Sequence, residues 1–254
     1  MNKNTTPNKN NTLLDQQLSD MKLLFILQNY ESLAKQAASE NLTHVDFLKR
    51  LIEGEALRRL DNRIQRRIRS AHFPVVKTLE QFNWEWPKKV NRAQVQNLFR
   101  LSFLKDNGNV IFLGGVGLGK THLATALGYA ACLAGHTVLF ASTVDMINTL
   151  NAAQAAYRLK AELKRYLAPR VLVLDELGYL PIDKQGADLL FQVISQRYER
   201  GSIILTTNTP FKNWPAIFNN DSGITSAVLD RLLHHADTVI LEGKSFRMKD
   251  QIET

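Results

Sequence analysis

The run GGVGLGKT, Gly114–Thr121, constrains this chain more than any other stretch. It fits G-x-x-x-x-G-K-[ST], and its flanks agree: the aliphatic run NVIFL precedes it and the helical pattern THLATALGYAACLA follows. Glycines let successive backbone N–H groups turn inward around phosphate oxygens, where the N-terminus of the next helix adds partial positive charge. The pattern therefore predicts ATP and Mg2+ as ligands. Gly114, Gly115, Val116, Gly117, Leu118 and Gly119 supply the cradle, and His122 adjoins it. Lys120 reaches the β and γ oxygens and Thr121 ligates the metal. A loop of this kind needs a strand on one side and a helix on the other, which restricts the fold to α/β.

The flanking sequence extends that pattern. Asn109–Leu113, Thr137–Ala141, Val171–Leu174, Ile203–Thr207 and Thr238–Leu241 are short aliphatic runs separated by helical stretches. Strands joined by helical crossovers predict a five-stranded, mostly parallel sheet covered on both faces. At the end of the run VLVLDE, Asp175 is expected beside the phosphate loop, where it holds Mg2+ through water. Glu176 follows and can orient and activate an attacking water. Asn208 closes SIILTTN, where its amide can bond the lytic water and the γ-phosphate; an Asn opening the turn before Pro210 is compatible with that role. In AVLDRLLHHA, Arg231 is either a surface residue or, in a ring or helical assembly, the group that stabilises transition-state charge at the next subunit's ATP. His234 and His235 have no carboxylate or Cys at ligand spacing and read as solvent or interface residues. Cys132, the one cysteine, reads as a small buried thiol.

The formal charge of +8 is concentrated. Residues 57–70 hold six Arg against one Asp, and residues 157–170 hold five Lys or Arg against one Glu, so the rest of the chain is near neutral. Clustered charge of this kind is the footprint expected for a phosphate backbone. Residues 1–12 are polar and Asn-rich, and read as a disordered tail. Residues 13–70 have helical apolar spacing and predict a small domain of three helices. On its last helix Leu57, Leu60, Ile64 and Ile68 share one face, and Arg59, Arg63, Arg66 and Arg67 the other. That basic face is either solvated or a contact for nucleic acid or an acidic partner. Residues 71–100 read as a linker in which Trp84 and Trp86 either stack near a base or clamp the linker to the core; residues 101–254 form the ATPase domain. No apolar run approaches the ~18 residues needed to span a bilayer. The stretch Met21–Leu27 is too short for a signal segment, and the chain reads as cytoplasmic.

Strand, phosphate loop, Asp-Glu strand, Asn-tipped strand and late Arg, in that order, resemble an AAA+ ATPase. The phrases GKTHLATALGYAA, VLVLDELGYLPID, IILTTNTPFKNW and AVLDRLLHHA, with EALRRLDNRIQRRIRSAHFP and KTLEQFNW, are similar to the IstB-like transposition helper ATPases. These are relatives of the DnaC-type helicase loaders, and the likeness runs from about residue 15 to 250. It implies an ATPase that oligomerises with ATP on double-stranded DNA, as a ring or helix, and works with a cognate transposase. Lys120, Thr121, Asp175, Glu176 and Asn208 would be its site residues, and Arg231 its finger in trans. An extra helix after the second strand would line the DNA path, bringing Arg158, Lys160, Lys164 and Arg165 to it. Two departures stand out. Val116 occupies a position that is Pro in many such loops, and the 23 residues after Arg231 are too few for the usual helical lid. Arg247 would take the lid arginine's place, and ATP is expected to bind weakly to a monomer. A replicative helicase loader is the alternative that the core motifs leave open. A nucleotide-switched scaffold conflicts with Glu176 and Arg231, and a small-molecule kinase with the acid next to Asp175.

Overall fold

The computed structural model describes residues 9–87 and 89–246. The chain divides into two compact units, Met1–Arg66 and Arg67–Thr254. Among the described residues, three helices build the first: α1 (Lys9–Asp20), α2 (Leu24–Ser39) and α3 (His44–Ser70), the unit boundary falling within α3. Helix α1 thus starts inside the segment read as a tail. The unit's core is small: Leu18, Ile26 and Leu51 are buried, with Leu23, Leu27, Tyr30, Leu33 and Phe47 packed against them. Glu55 of α3 adds a polar tie. Its carboxylate accepts the Phe25 N–H at 2.8 Å in the first turn of α2, and Arg59 Nε pairs with it at 2.9 Å. The free backbone donors and dipole of a helix N-terminus favour an anion at that position.

The second unit holds α4 (Arg92–Leu98), β1 (Asn109–Gly114), α5 (Lys120–Leu133), β2 (Val138–Ser142), α6 (Thr143–Ala155), α7 (Leu159–Leu167), β3 (Val171–Leu177), α8 (Lys184–Arg197), β4 (Ser202–Thr207), α9 (Ser222–Leu233) and β5 (Ala236–Leu241). The five strands form one sheet in the order β2-β3-β4-β1-β5, every pairing parallel. This is the α/β class the sequence predicts. The extra crossover after β2 consists of two helices, α6 and α7.

Alternation across the pleat divides the core in two. On one face Ile111, Leu172, Leu174, Ile203 and Leu205 meet α6–α9, with Met146, Leu150, Leu190, Val193, Val228 and Leu232. On the other, Val110, Phe112, Val171, Val173 and Ile204 meet α5 through Leu123, Leu127 and Ala131. Burial on both faces is why these strands read as continuous aliphatic runs.

Residues 71–100 are more than a linker. Phe82, Val95 and Leu98 are buried in the α5-side core, with Trp84 packed against it. Asn91 caps α4, its side chain accepting the Gln94 N–H. Lys89 bridges Glu242 in antiparallel fashion, which ties the segment to the chain just past β5.

Candidate functional site

The phosphate loop leaves β1 in the interior of the sheet and enters α5, at the carboxyl edge where open α/β sheets bind ligands. Gly117 and Gly119 hold φ of 73° and 86°. A side chain at either would also collide with its surroundings: a Cβ on Gly117 would lie 2.2 Å from Ser245 Oγ, and one on Gly119 2.6 Å from the Phe82 ring. Lys120 is buried and donates to the Gly115 carbonyl at 2.7 Å, folded back across the loop. Thr121 Oγ1 lies 3.0 and 3.1 Å from the two Asp175 carboxylate oxygens.

The end of β3 departs from a regular strand. Its register against β4 shifts between Leu174 and Leu177, which pair with Leu205 and Thr207, so three steps on β3 match two on β4. The extra residue resets the pleat: Leu174 and Leu177, an odd number of positions apart, face the same core. Within this bulge Glu176 adopts φ 61°, in the left-handed region. Thr206 of β4 holds it there. Its fully buried hydroxyl donates to Asp175 Oδ1 at 2.5 Å and accepts the Glu176 N–H at 2.9 Å. Thr143 Oγ1 donates to the Asp175 carbonyl at 2.9 Å from the other flank. Asp175 and Glu176 were legible as site candidates; Thr206, which joins them, was missed, because its signal is a strand register rather than a motif.

A cavity of about 490 Å3 opens on these groups, within the range of small-ligand sites. Its lining includes Phe82, Trp86, Lys120, Glu176, Thr206 and Phe246. The two tryptophans part company. Trp84 packs edge-on to Phe82 under the Arg92 guanidinium, whereas Trp86 faces the cavity beside Phe246. His122 makes an edge contact with Phe82 and hydrogen-bonds the Thr78 carbonyl at 2.8 Å through Nε2. Burial pushes its pKa below the usual imidazole range, helped by the Lys77 charge and opposed by the bond to Thr78. The imidazole is therefore neutral at neutral pH, with its Nε2–H donating to Thr78. The Thr121 hydroxyl in the first turn of α5 and the Asp175 carboxylate of β3 are the hard oxygen donors that Mg2+ takes, its other positions left to water and phosphate. Thr121 and Asp175 fit that ion.

Asn208 follows β4 directly and accepts from Thr209 Oγ1 at 3.0 Å. Arg231 does not line the phosphate cavity. It donates to the Ala227 carbonyl and lies over the Phe191 ring at 5.0 Å. Arg247 lies outside the described residues. His234 and His235 are exposed, and the fold brings Glu199 to them, with one ligand atom from each residue within 4.8 Å of the others. No short-range spacing contains that carboxylate.

Arg158, Lys160, Lys164 and Arg165 are all exposed on α7 and the turn before it; Arg165 pairs with Glu162 at 3.3 Å. At that turn Tyr157 is 99% exposed with φ 55°. On α3, Arg63 and Arg66 are exposed, Arg67 is half-buried, and Arg59 is held by Glu55. Of the apolar face expected there, Leu57 is 67% and Leu60 45% exposed, whereas Ile68 packs against the α5-side core. No helix among the described residues is long and apolar enough to cross a membrane.

A family model for IstB-like ATP binding proteins matches residues 16–254. The chain is 42% identical over 234 residues to an ATP-binding protein of insertion sequence IS21 from Pseudomonas aeruginosa, covering 92% of this chain and 88% of that one. It is 38% identical over 233 residues to an ATP-binding protein of insertion sequence IS232 from Bacillus thuringiensis subsp. berliner, covering 92% and 93%. Among solved structures, the DnaC helicase loader aligns with a TM-score of 0.51 and 22% identity, over 69% of this chain and 99% of that one. The replication initiator DnaA bound to AMPPCP and single-stranded DNA aligns with a TM-score of 0.54 and 22% identity, over 66% and 50%. At that identity the solved structures speak to the fold, which is of the AAA+ type. Sheet order, phosphate loop and full-length relatives agree, and the chain belongs to the IstB-like ATP-binding protein family.

Proposed function

We propose that this protein is an ATP-hydrolysing, DNA-binding regulator that oligomerises on duplex DNA and helps a transposase engage its target, with hydrolysis releasing or remodelling the assembly. The observation that carries the reading is the Thr121–Asp175–Thr206–Glu176 hydrogen-bonded chain on the cavity beside Lys120. In this reading the loop N–H groups bind the phosphates, and Lys120 leaves the Gly115 carbonyl for the β and γ oxygens. Glu176 takes a proton from water as the water oxygen attacks the γ-phosphorus and the bond to the β–γ bridging oxygen breaks. Asn208 holds that water and the γ-phosphate in line, and Arg231 of an adjoining subunit neutralises the developing charge. Thr121 and Asp175 would hold Mg2+, which would further neutralise the phosphate oxygens.

Support for the DNA half comes from relatives that are ATP-binding proteins of insertion sequences, and from the exposed basic surface of α7. Arg158, Lys160, Lys164 and Arg165, with Arg63, Arg66 and Arg67 of α3, track phosphates with little base reading. The ion pair to Glu55 makes Arg59 the weakest member of that set. The helical unit serves assembly and DNA contact, residues 71–254 serve ATP, and the cytoplasm is the compartment this implies. Particle mass and shape, by light scattering and electron microscopy with and without ATP and a short duplex, test the proposal. Discrete oligomers needing both ligands, and lost in Lys120→Ala and Arg231→Ala, are expected. A monomer under every condition would sink the assembly reading and favour a helicase loader acting through a protein partner.

A further inference from the structure

We propose that Glu199, His234 and His235 form a binding site for a divalent transition metal of the Zn2+ class, at the adjoining ends of α8 and α9. One ligand atom from each residue lies within 4.8 Å of the other two, and all three side chains are exposed. Ligands about 2.0–2.2 Å from a common ion stand roughly 3.3–4.3 Å apart, so small side-chain rotations close the set.

The backbones behind the ligands are fixed. Asn107 Nδ2 donates to the Glu199 carbonyl at 2.8 Å, and the Asn109 N–H donates to the His235 carbonyl at 2.7 Å. Asn109 Nδ2 also holds the Leu232 carbonyl at 3.0 Å. Two asparagines at the entry to β1 thus anchor both ligand-bearing segments to one rigid strand. Upstream of Glu199, the buried Arg197 guanidinium is hydrogen-bonded to the Tyr166, Pro169, Arg170 and Ser202 carbonyls, which immobilises the end of α8.

An outer partner is also in place. Tyr198 Oη lies 2.8 Å from His234 Nδ1. With Nδ1–H donating to the phenol oxygen, Nε2 keeps its lone pair for a metal, the arrangement in which an outer hydrogen bond sets tautomer and ring direction. Two imidazoles and one carboxylate select Zn2+, Co2+, Ni2+ or Cu2+ over the oxygen-seeking Ca2+ and Mg2+. Three protein ligands leave coordination positions for water. The site is separate from the phosphate cavity, which none of its residues lines.

His234 and His235 follow Arg231 by one turn at the end of α9. A bound ion would clamp that end to α8 and fix the helix carrying Arg231. The metal site does not depend on the ATPase reading, and the two fail separately.

The test is a Co2+ titration of tag-free, chelator-treated full-length protein, read by visible absorption, with Zn2+ competition and calorimetry. One equivalent is expected, displaced by Zn2+. His235→Ala and Glu199→Gln should each abolish the high-affinity phase, and Tyr198→Phe should weaken it about 10–100-fold. Circular dichroism should report an unchanged fold for these surface variants. Lys120→Ala should lose nucleotide binding and keep metal uptake; His44→Ala, which removes an exposed histidine elsewhere, should keep metal uptake too. No uptake at micromolar metal, or uptake that survives His235→Ala and Glu199→Gln, would overturn the proposal.

Discussion

Replacing Thr206 by Val removes one hydroxyl from the centre of the candidate site and keeps the side chain's shape. That hydroxyl makes two bonds, to Asp175 Oδ1 at 2.5 Å and from the Glu176 N–H at 2.9 Å, with no exposure to water. A hydrogen bond to a charged group contributes about 1.5–3 kcal/mol, and a buried N–H left without a partner costs about 1–3 kcal/mol. Two effects temper the sum. Asp175 keeps Thr121, and Glu176 becomes free to leave its left-handed conformation, recovering about 1–3 kcal/mol. A net loss of about 1–3 kcal/mol is expected, measurable by denaturant unfolding. The relaxation that limits the stability loss should damage turnover, because it moves the Glu176 carboxylate. A misplacement on the order of 1 Å costs about 100-fold in rate, so kcat for ATP should fall by that factor with KM little changed. Thr206→Ser keeps the oxygen and should keep most of the turnover. A Thr206→Val protein with wild-type stability and turnover would refute the reasoning. So would a Thr206→Ser protein as impaired as the Val variant, since packing of the methyl group would then be the cause.

Arg197 is 1% exposed and has carbonyl partners in place of a carboxylate; burial, with the Arg170 charge, pushes its pKa down to about 10. Arg197→Met strands those carbonyls, each at about 1–3 kcal/mol, and should lower stability measurably by denaturant unfolding. For His122 the pKa is lowered in the folded state, so between that value and the ordinary ~6.5 the unfolded chain binds more protons and stability falls on acidification. The midpoint of thermal unfolding should therefore drop from pH 7.5 to 5.5, and His122→Gln should flatten part of the slope. His136, lowered in the same direction by burial and the Arg170 and Arg67 charges, supplies the remainder. Burial raises the Cys132 thiol to about 11, so a maleimide should label it only after unfolding, with fast native labelling as the contrary result.

Sequence patterns reported the parts of this molecule that depend on neighbours along the chain. The five aliphatic runs are strands because each is buried by alternation on two faces, and the phosphate loop is legible because its glycines act within eight residues. Asp175 and Glu176 were visible as a strand end, yet the bulge between them was not, because an extra residue leaves no mark in composition. Thr206 looked like one more β-branched residue of a buried strand; only its register opposite that bulge gives it a role. Residues 71–100 carry turn-rich composition and read as a linker, but Phe82 and Trp86 are recruited to the cavity from some forty residues before Lys120. The Glu199 carboxylate reached the two histidines by the packing of α8 on α9, a contact that no spacing rule encodes. On α3, helical periodicity predicts an apolar face, yet Leu57 and Leu60 are exposed.

Strand order also governs how the protein comes into being. β1, which carries the phosphate loop, lies between β4 and β5, which come last in chain order among the described strands. A ribosome that has just extruded the loop has made neither of its neighbours, and pairings of such sequence separation form late. The helical first unit can compact while the rest is still emerging. Nucleotide binding is therefore expected to await Ala236–Leu241, the strand that pairs with the outer side of β1. A nascent chain stalled before that strand should be protected from protease in its first unit, yet blind to ATP.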